Sequence, residues 1–173
     1  DVARVLVKTR AEMLSSDLPD YASDAIDNST ISDVFMIGRR GPVEAKFTNV
    51  ELREMGELEN AISLVDQKII PENIDGNWSD RDIRLKVKNL ETLRQFTQNI
   101  DKSAPKRVHF EFWSKPTKIL GNSSVEGIQM EKTVLKDDDG KSLEVGIKLF
   151  LDHLNEYHKA GISTHTQSGC SFT

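Results

Sequence analysis

Two adjacent guanidiniums, Arg39 and Arg40, stand between Gly38 and Gly41 directly after the apolar run Val34-Phe35-Met36-Ile37. Guanidinium is planar, permanently charged and donates in a fork, so a neighbouring pair suits a phosphate. The run before them is short and rich in strand formers, and it reads as a strand buried on both faces. Ligands of open α/β sheets settle in the crevice beyond the C-terminal ends of the strands. A carboxylate at that place would accept a ribose 2′-hydroxyl. Two arginines reverse the preference and fit the 2′-phosphate of NADP. The plain alternative is a pair of solvated cations in a turn.

Other residues offer less specific chemistry. Thr48-Asn49-Val50-Glu51 has the Thr-x-x-Glu form of a helix capping box, with Glu51 reaching back to the backbone N–H of Thr48. Arg81, Arg84 and Lys88 recur at i, i+3 and i+7, opposite an apolar stripe and near Lys86. That spacing gives a basic helix face, able to steer an acidic partner or simply solvated. His109, His153, His158 and His165 show no metal-ligand spacing, and Asp137 to Asp139 read as a turn rather than a calcium loop. His109 alternates with core residues and is expected on the polar face of its strand. Trp78 and Trp113 are expected to pack. The lone cysteine, Cys170, excludes an intrachain disulfide and a Cys-based zinc site. No Ser/His/Asp or Cys/His nucleophile arrangement is evident, so no catalytic residue and no metal ligand is assigned.

The elements that must position these groups follow from periodicity. Asp1 to about Ser16 is near helical spacing. A second helix, capped by Asp17 with Pro19 in its first turn, puts Leu18, Tyr21, Ala22, Ala25 and Ile26 on one face. After the strand at Val34–Ile37, a short helix begins at the capping box and ends with Gly56 as a C′ glycine. Ala61 to Val65 is a second strand, and strand–helix–strand is the unit of a parallel sheet. Pro71 to Ser79 is a loop. Asp80 to about Asn99 is the longest helix, with Ile83, Val87, Leu90, Leu93, Phe96 and Ile100 as its buried stripe. Val108–Phe112 is a half-buried strand, and Ile128–Leu135 another. Ile147, Phe150, Leu151, Leu154 and Tyr157 then lie on one helical face before the chain runs into Ser, Thr and Gly.

Composition bounds the rest. The chain has 173 residues, 37% hydrophobic and 29% charged, with a net charge of −5. One domain with one core fits that length. An acidic chain is a poor match for general nucleic-acid binding, and no apolar run reaches the ~18–20 residues of a membrane span. Asparagine acceptor patterns at Asn28, Asn77 and Asn122 are expected to be chance matches, since no signal peptide is read in the sequence, and the compartment is expected not to be secretory.

Several blocks together carry a family signal: Asp1-Val2-Ala3-Arg4-Val5-Leu6, Gly38-Arg39-Arg40-Gly41-Pro42, Ala45-Lys46-Phe47-Thr48 and Glu51-Leu52-Arg53-Glu54. In sequence and spacing they resemble the adrenodoxin reductase-like ferredoxin–NADP reductases, from Asp1 to roughly Val145. The resemblance implies a Rossmann-like, partly parallel α/β sheet flanked by helices, inserted in life into an FAD domain. It implies hydride transfer from NADPH to FAD and electron delivery to a ferredoxin, in the cytoplasm or the mitochondrial matrix. Arg39 and Arg40 match the pair that holds the 2′-phosphate, and Glu51 matches a nucleotide-contacting glutamate, a role that can coexist with capping. Arg81, Arg84 and Lys88 match a helix that helps dock an acidic ferredoxin. The family's first strand and glycine-rich pyrophosphate turn have no counterpart after Asp1. The expectation is therefore a partial NADP-binding domain over residues 1–146 and a divergent tail over 147–173. The competing expectation is a non-catalytic α/β module, or one that binds another phosphorylated ligand.

Overall fold

The computed structural model describes residues 1–99, 103–135 and 142–152. Two compact units divide the chain, Asp1–Trp113 and Ser114–Thr173.

The first unit is α/β. Helices α1 (Val2–Val7), α2 (Arg10–Met13) and α3 (Asp20–Asp27) precede strand β1 (Asp33–Ile37). Then follow α4 (Asn49–Glu54), β2 (Ala61–Val65), a 3-10 turn at Gln67–Ile69, α5 (Asp80–Phe96) and β3 (Lys106–Glu111). The three strands are parallel in the order β1-β3-β2, so β3 intervenes between the two strands that are consecutive in sequence. Leu90, Leu93 and Phe96 of α5, Leu52 and Met55 at α4 and Val7 of α1 pack with Val108 and Phe110 of β3 to form the core.

Several local expectations are corrected. The opening segment is not one helix. Lys8 is extended, and α2 starts afresh at Thr9, whose side chain accepts from the Glu12 N–H while the Glu12 carboxylate accepts from the Thr9 N–H at 2.8 Å. This full capping box also takes the Glu59 N–H (3.1 Å), which ties α2 to the turn before β2. Helix α3 has Pro19, not Asp17, at its N-cap, and Tyr21 is exposed. Gly56 does follow α4, but without a left-handed φ. Its use is space, since a Cβ there would stand 3.0 Å from the Phe96 ring. Strand β1 is half-buried along its length rather than covered on both faces, because it lies at the edge of the described sheet.

The stripe of α5 is also shorter than expected. Leu90, Leu93 and Phe96 are buried, whereas Ile83 and Val87 are each 38% exposed; Ile100 lies outside the described residues. At the helix start the inward side is taken by Lys86, which lies over the Trp78 ring at 3.7 Å and donates to the Val43 carbonyl. Burial lowers the Lys86 pKa, against the pull of Glu44 and Asp82. One turn further, buried Asn89 donates to the Phe47 carbonyl (3.0 Å) and accepts from Asn49 (3.3 Å). Asn89→Ala leaves that carbonyl unsatisfied and is expected to cost about 2 kcal/mol. A urea midpoint equal to wild type would show that the bond carries no stability.

The second unit is an antiparallel sheet, β4 (Ser114–Leu120), β5 (Gly127–Leu135) and β6 (Ser142–Asp152), in that order. Strand β4 was not anticipated, and β6 replaces the helix read from Ile147. Residues beyond Asp152, including His153, His158, His165 and Cys170, lie outside the described residues, as does the Asp137–Asp139 turn.

Candidate functional site

Beyond the C-terminal end of β1 the chain turns through Gly38-Arg39-Arg40-Gly41, and beside it opens a cleft of about 650 Å³. Its walls are Val2, Ala3 and Leu6 of α1, Val34 to Ile37 of β1, and Ala45, Phe47 and Phe112. Consecutive strand residues point to opposite faces of a sheet. Four in a row can line one cleft only if it runs along the strand's open edge. Arg39 and Arg40 are exposed at the end of that groove, while Gly41, Pro42 and Val43 are buried. An apolar, partly aromatic groove closed by two cations can take a flat ring on its walls and an anion at its end.

The turn is fastened to the end of β3. The Gly38 N–H donates to the Glu111 carbonyl (2.8 Å), and the Trp113 N–H donates to the Arg40 carbonyl (3.2 Å). Trp113 is the one non-glycine residue of positive φ among the described residues, at +56°. Its indole lies against Gly41, where a Cβ would come within 2.6 Å of Trp113 Cε2.

Glu51 is not part of the cleft lining. It sits in the first turn of α4, where its N–H donates to the Thr48 hydroxyl oxygen (3.3 Å) and its carboxylate accepts from that hydroxyl at 2.5 Å. The reach is thus to the Thr48 side chain, not to the backbone N–H anticipated from the motif. Arg81, Arg84 and Lys88 are all exposed on α5 and share one face, while Lys86, turned inward, does not join it. The structure therefore brings Arg39 and Arg40 together and leaves Glu51 and the α5 cations at places of their own.

A second polar cluster was missed by pattern reading. Asp33, 6% exposed in its side chain, accepts from Arg107 Nε and Nη2 (2.7 and 2.8 Å), from Ser32 Oγ (2.7 Å) and from His109 Nε2 (2.8 Å). The His109 ring stacks on Phe35 at 4.4 Å. His109 is therefore a bound partner of a buried carboxylate, not a free polar face. Asp33 lies five residues before the turn, at the other end of β1, and is not part of the cleft lining. Among the described residues there is no group of His, Cys, Asp and Glu able to hold a metal, and no helix is long and apolar enough to cross a membrane.

Parallel strands flanked by helices, with a cationic turn at a strand's C-terminal end, define a Rossmann-like α/β unit. The chain is homologous to the ferredoxin–NADP reductases of the adrenodoxin reductase type, as its sequence blocks implied. It is 32% identical over 146 residues to NADPH-ferredoxin reductase FprA of Mycobacterium leprae, which covers 82% of this chain and 31% of that protein. To the mitochondrial NADPH:adrenodoxin oxidoreductase of Arabidopsis thaliana it is 31% identical over 162 residues, 88% of this chain and 33% of that one. Among solved structures, Mycobacterium tuberculosis FprA in complex with NADPH matches with a TM-score of 0.75 and 26% identity, over 88% of this chain and 34% of that chain. The chain thus spans about a third of the length of the curated relatives it matches. No family model matches it.

Proposed function

We propose that this chain is the NADP(H)-binding portion of a flavin-dependent ferredoxin–NADP reductase. The observation that carries the reading is the exposed Arg39–Arg40 pair at the C-terminal end of β1, closing an apolar cleft. Two forked cations fit a doubly charged 2′-phosphate, and Phe47, Phe112 and the aliphatic wall offer a surface for an adenosine. Support also comes from the relatives, which are named NADPH-ferredoxin and NADPH:adrenodoxin reductases.

In this reading the chain's own work is binding and orientation. Arg39 and Arg40 hold the phosphate; the resemblance alone adds Glu51 as a nucleotide contact, for its carboxylate accepts from the Thr48 hydroxyl and lies outside the cleft lining. FAD would accept hydride and pass on single electrons; no described residue is assigned to it. The α5 face of Arg81, Arg84 and Lys88 is the surface offered to an acidic, ferredoxin-type iron–sulfur protein, since opposite fields steer such encounters. The relatives from Arabidopsis and Dictyostelium discoideum are named mitochondrial, and a matrix or cytoplasmic site for this protein accords with them.

Calorimetric titration of the full chain with 2′-AMP and 5′-AMP separates this reading from a general phosphate site. Binding of 2′-AMP is expected to be at least tenfold tighter, the worth of one charge-assisted hydrogen bond. Equal affinities would overturn the assignment.

A further inference from the structure

We infer that Trp113 is a positioning residue for the arginine pair, fixing the path of the Gly38–Gly41 turn so that Arg39 and Arg40 meet their phosphate already ordered. The inference rests on the proposed binding of a 2′-phosphate by those arginines. Three observations carry it. First, a bulky aromatic residue at φ +56° is an outlier, and such a conformation persists only where the surroundings over-determine it. Second, the turn is bracketed by backbone bonds to the end of β3, one from Gly38 N–H to the Glu111 carbonyl and one from Trp113 N–H to the Arg40 carbonyl. The left-handed backbone at Trp113 accompanies an N–H aimed at Arg40 and an indole laid on Gly41. Third, that close approach requires glycine, because any Cβ at position 41 would overlap the indole.

The consequence lies in binding rather than in folding alone. A loose turn would have to order two long cationic side chains when the ligand arrives, and that cost subtracts from affinity. With the Arg40 carbonyl held and Gly41 pressed under the ring, the backbone between the two bonds has little freedom left. The arginines themselves stay exposed while Gly41 to Val43 are buried, so the anchor and the binding groups are separate parts of one turn. The advantage falls on ligands that use both arginines. Trp113 is therefore expected to influence discrimination between 2′- and 5′-phosphates more than affinity for adenosine.

The test compares the ratio of the 5′-AMP to the 2′-AMP dissociation constant in the full chain and in three variants. Trp113→Gly keeps the left-handed φ without strain and removes the indole. Its ratio is expected to fall about tenfold, the loss of one well-placed charged hydrogen bond. Trp113→Phe, which keeps a ring over Gly41, should restore most of it. Gly41→Ala pushes the indole away without deleting it and should reproduce the loss alone. Combined with Trp113→Gly it should add little, because the methyl then enters the space the ring has left and only the flexible tip of Glu44, 2.9 Å away, must give. A merely structural role would lower the folded fraction of each variant without moving the ratio. If wild type discriminates and Trp113→Gly or Gly41→Ala discriminates equally well, the positioning role is overturned while the arginine site stands. If wild type itself does not discriminate, the arginine site falls and the inference falls with it.

Discussion

Asp33→Ala is expected to destabilise the first unit by about 3–5 kcal/mol, the range for removing one partner of a buried ion pair. The carboxylate is the common acceptor for four donor atoms, on Arg107, Ser32 and His109. Without it the Arg107 guanidinium, 8% exposed in its side chain, keeps its charge in a place that water barely reaches. Register makes the pair intimate, since Asp33 and Arg107 are direct partners in the parallel β1–β3 ladder. Adding Arg107→Met to Asp33→Ala should recover part of the loss, because the buried guanidinium that has lost its Asp33 acceptor is then removed. Guanidinium denaturation followed by circular dichroism measures both. A loss under about 1 kcal/mol for the single variant, as at a surface pair, would show that the cluster is solvated.

The same cluster fixes an acid limit. Burial alone would raise the Asp33 pKa, but the bonds from Arg107, His109 and Ser32 outweigh it and hold the group well below the usual carboxylate range. A carboxylate depressed in the folded state stabilises the fold above its unfolded pKa of about 4, and that contribution is lost as pH falls towards the folded value. Wild type should therefore lose about 1.4 kcal/mol per pH unit from this group below about pH 4. Asp33→Ala lacks this dependence, so the gap between the two should narrow from pH 4 to pH 3. A constant gap would place the titrating group elsewhere.

Periodicity and residue type made much of the α/β unit legible. The apolar runs at Val34–Ile37 and Ala61–Val65, the alternation at Val108–Phe112 and the long pattern from Asp80 all became elements near those positions. Failures came where two patterns compete or where contacts are remote. The stretch Leu143, Val145, Ile147, Leu149, Leu151 alternates with period two, yet Ile147, Phe150 and Leu151 also satisfy helical spacing, and strand prevailed through Asp152. Strand β4 hid behind Lys115, Pro116, Thr117 and Lys118, which suit a sheet edge with a register shift at the proline. The break at Lys8 was signalled by Thr9-x-x-Glu12 and overlooked in favour of continuous helical spacing. Asp33 is separated from Arg107 and His109 by more than 70 residues, and only strand register unites them. Trp113 over Gly41 is likewise a fact of the fold, invisible in either residue alone. The position of the arginine pair was legible because it is local: two adjacent cations directly after one strand.

That locality sets the size of the other large effect. Arg39→Ala/Arg40→Ala is expected to cost about 2–5 kcal/mol of 2′-AMP binding while leaving 5′-AMP binding within about twofold. Both side chains are exposed, so the interaction is screened by salt and the lower half of that range applies near physiological ionic strength. Raising salt from about 0.1 to 1 M shortens the Debye length from roughly 10 to 3 Å. Wild-type affinity for 2′-AMP should fall steeply over that range, and the double variant should show almost no slope. The exchange Arg39→Lys/Arg40→Lys separates charge from shape. Lysine keeps the field but donates from a point, so the salt slope should survive while affinity drops between the other two. The path of the turn should persist in both variants, because its backbone bonds run through Gly38 and Arg40 and its close packing through Gly41. Retention of wild-type 2′-AMP affinity by the alanine pair would remove the arginines from the site, whatever the cleft beside them binds.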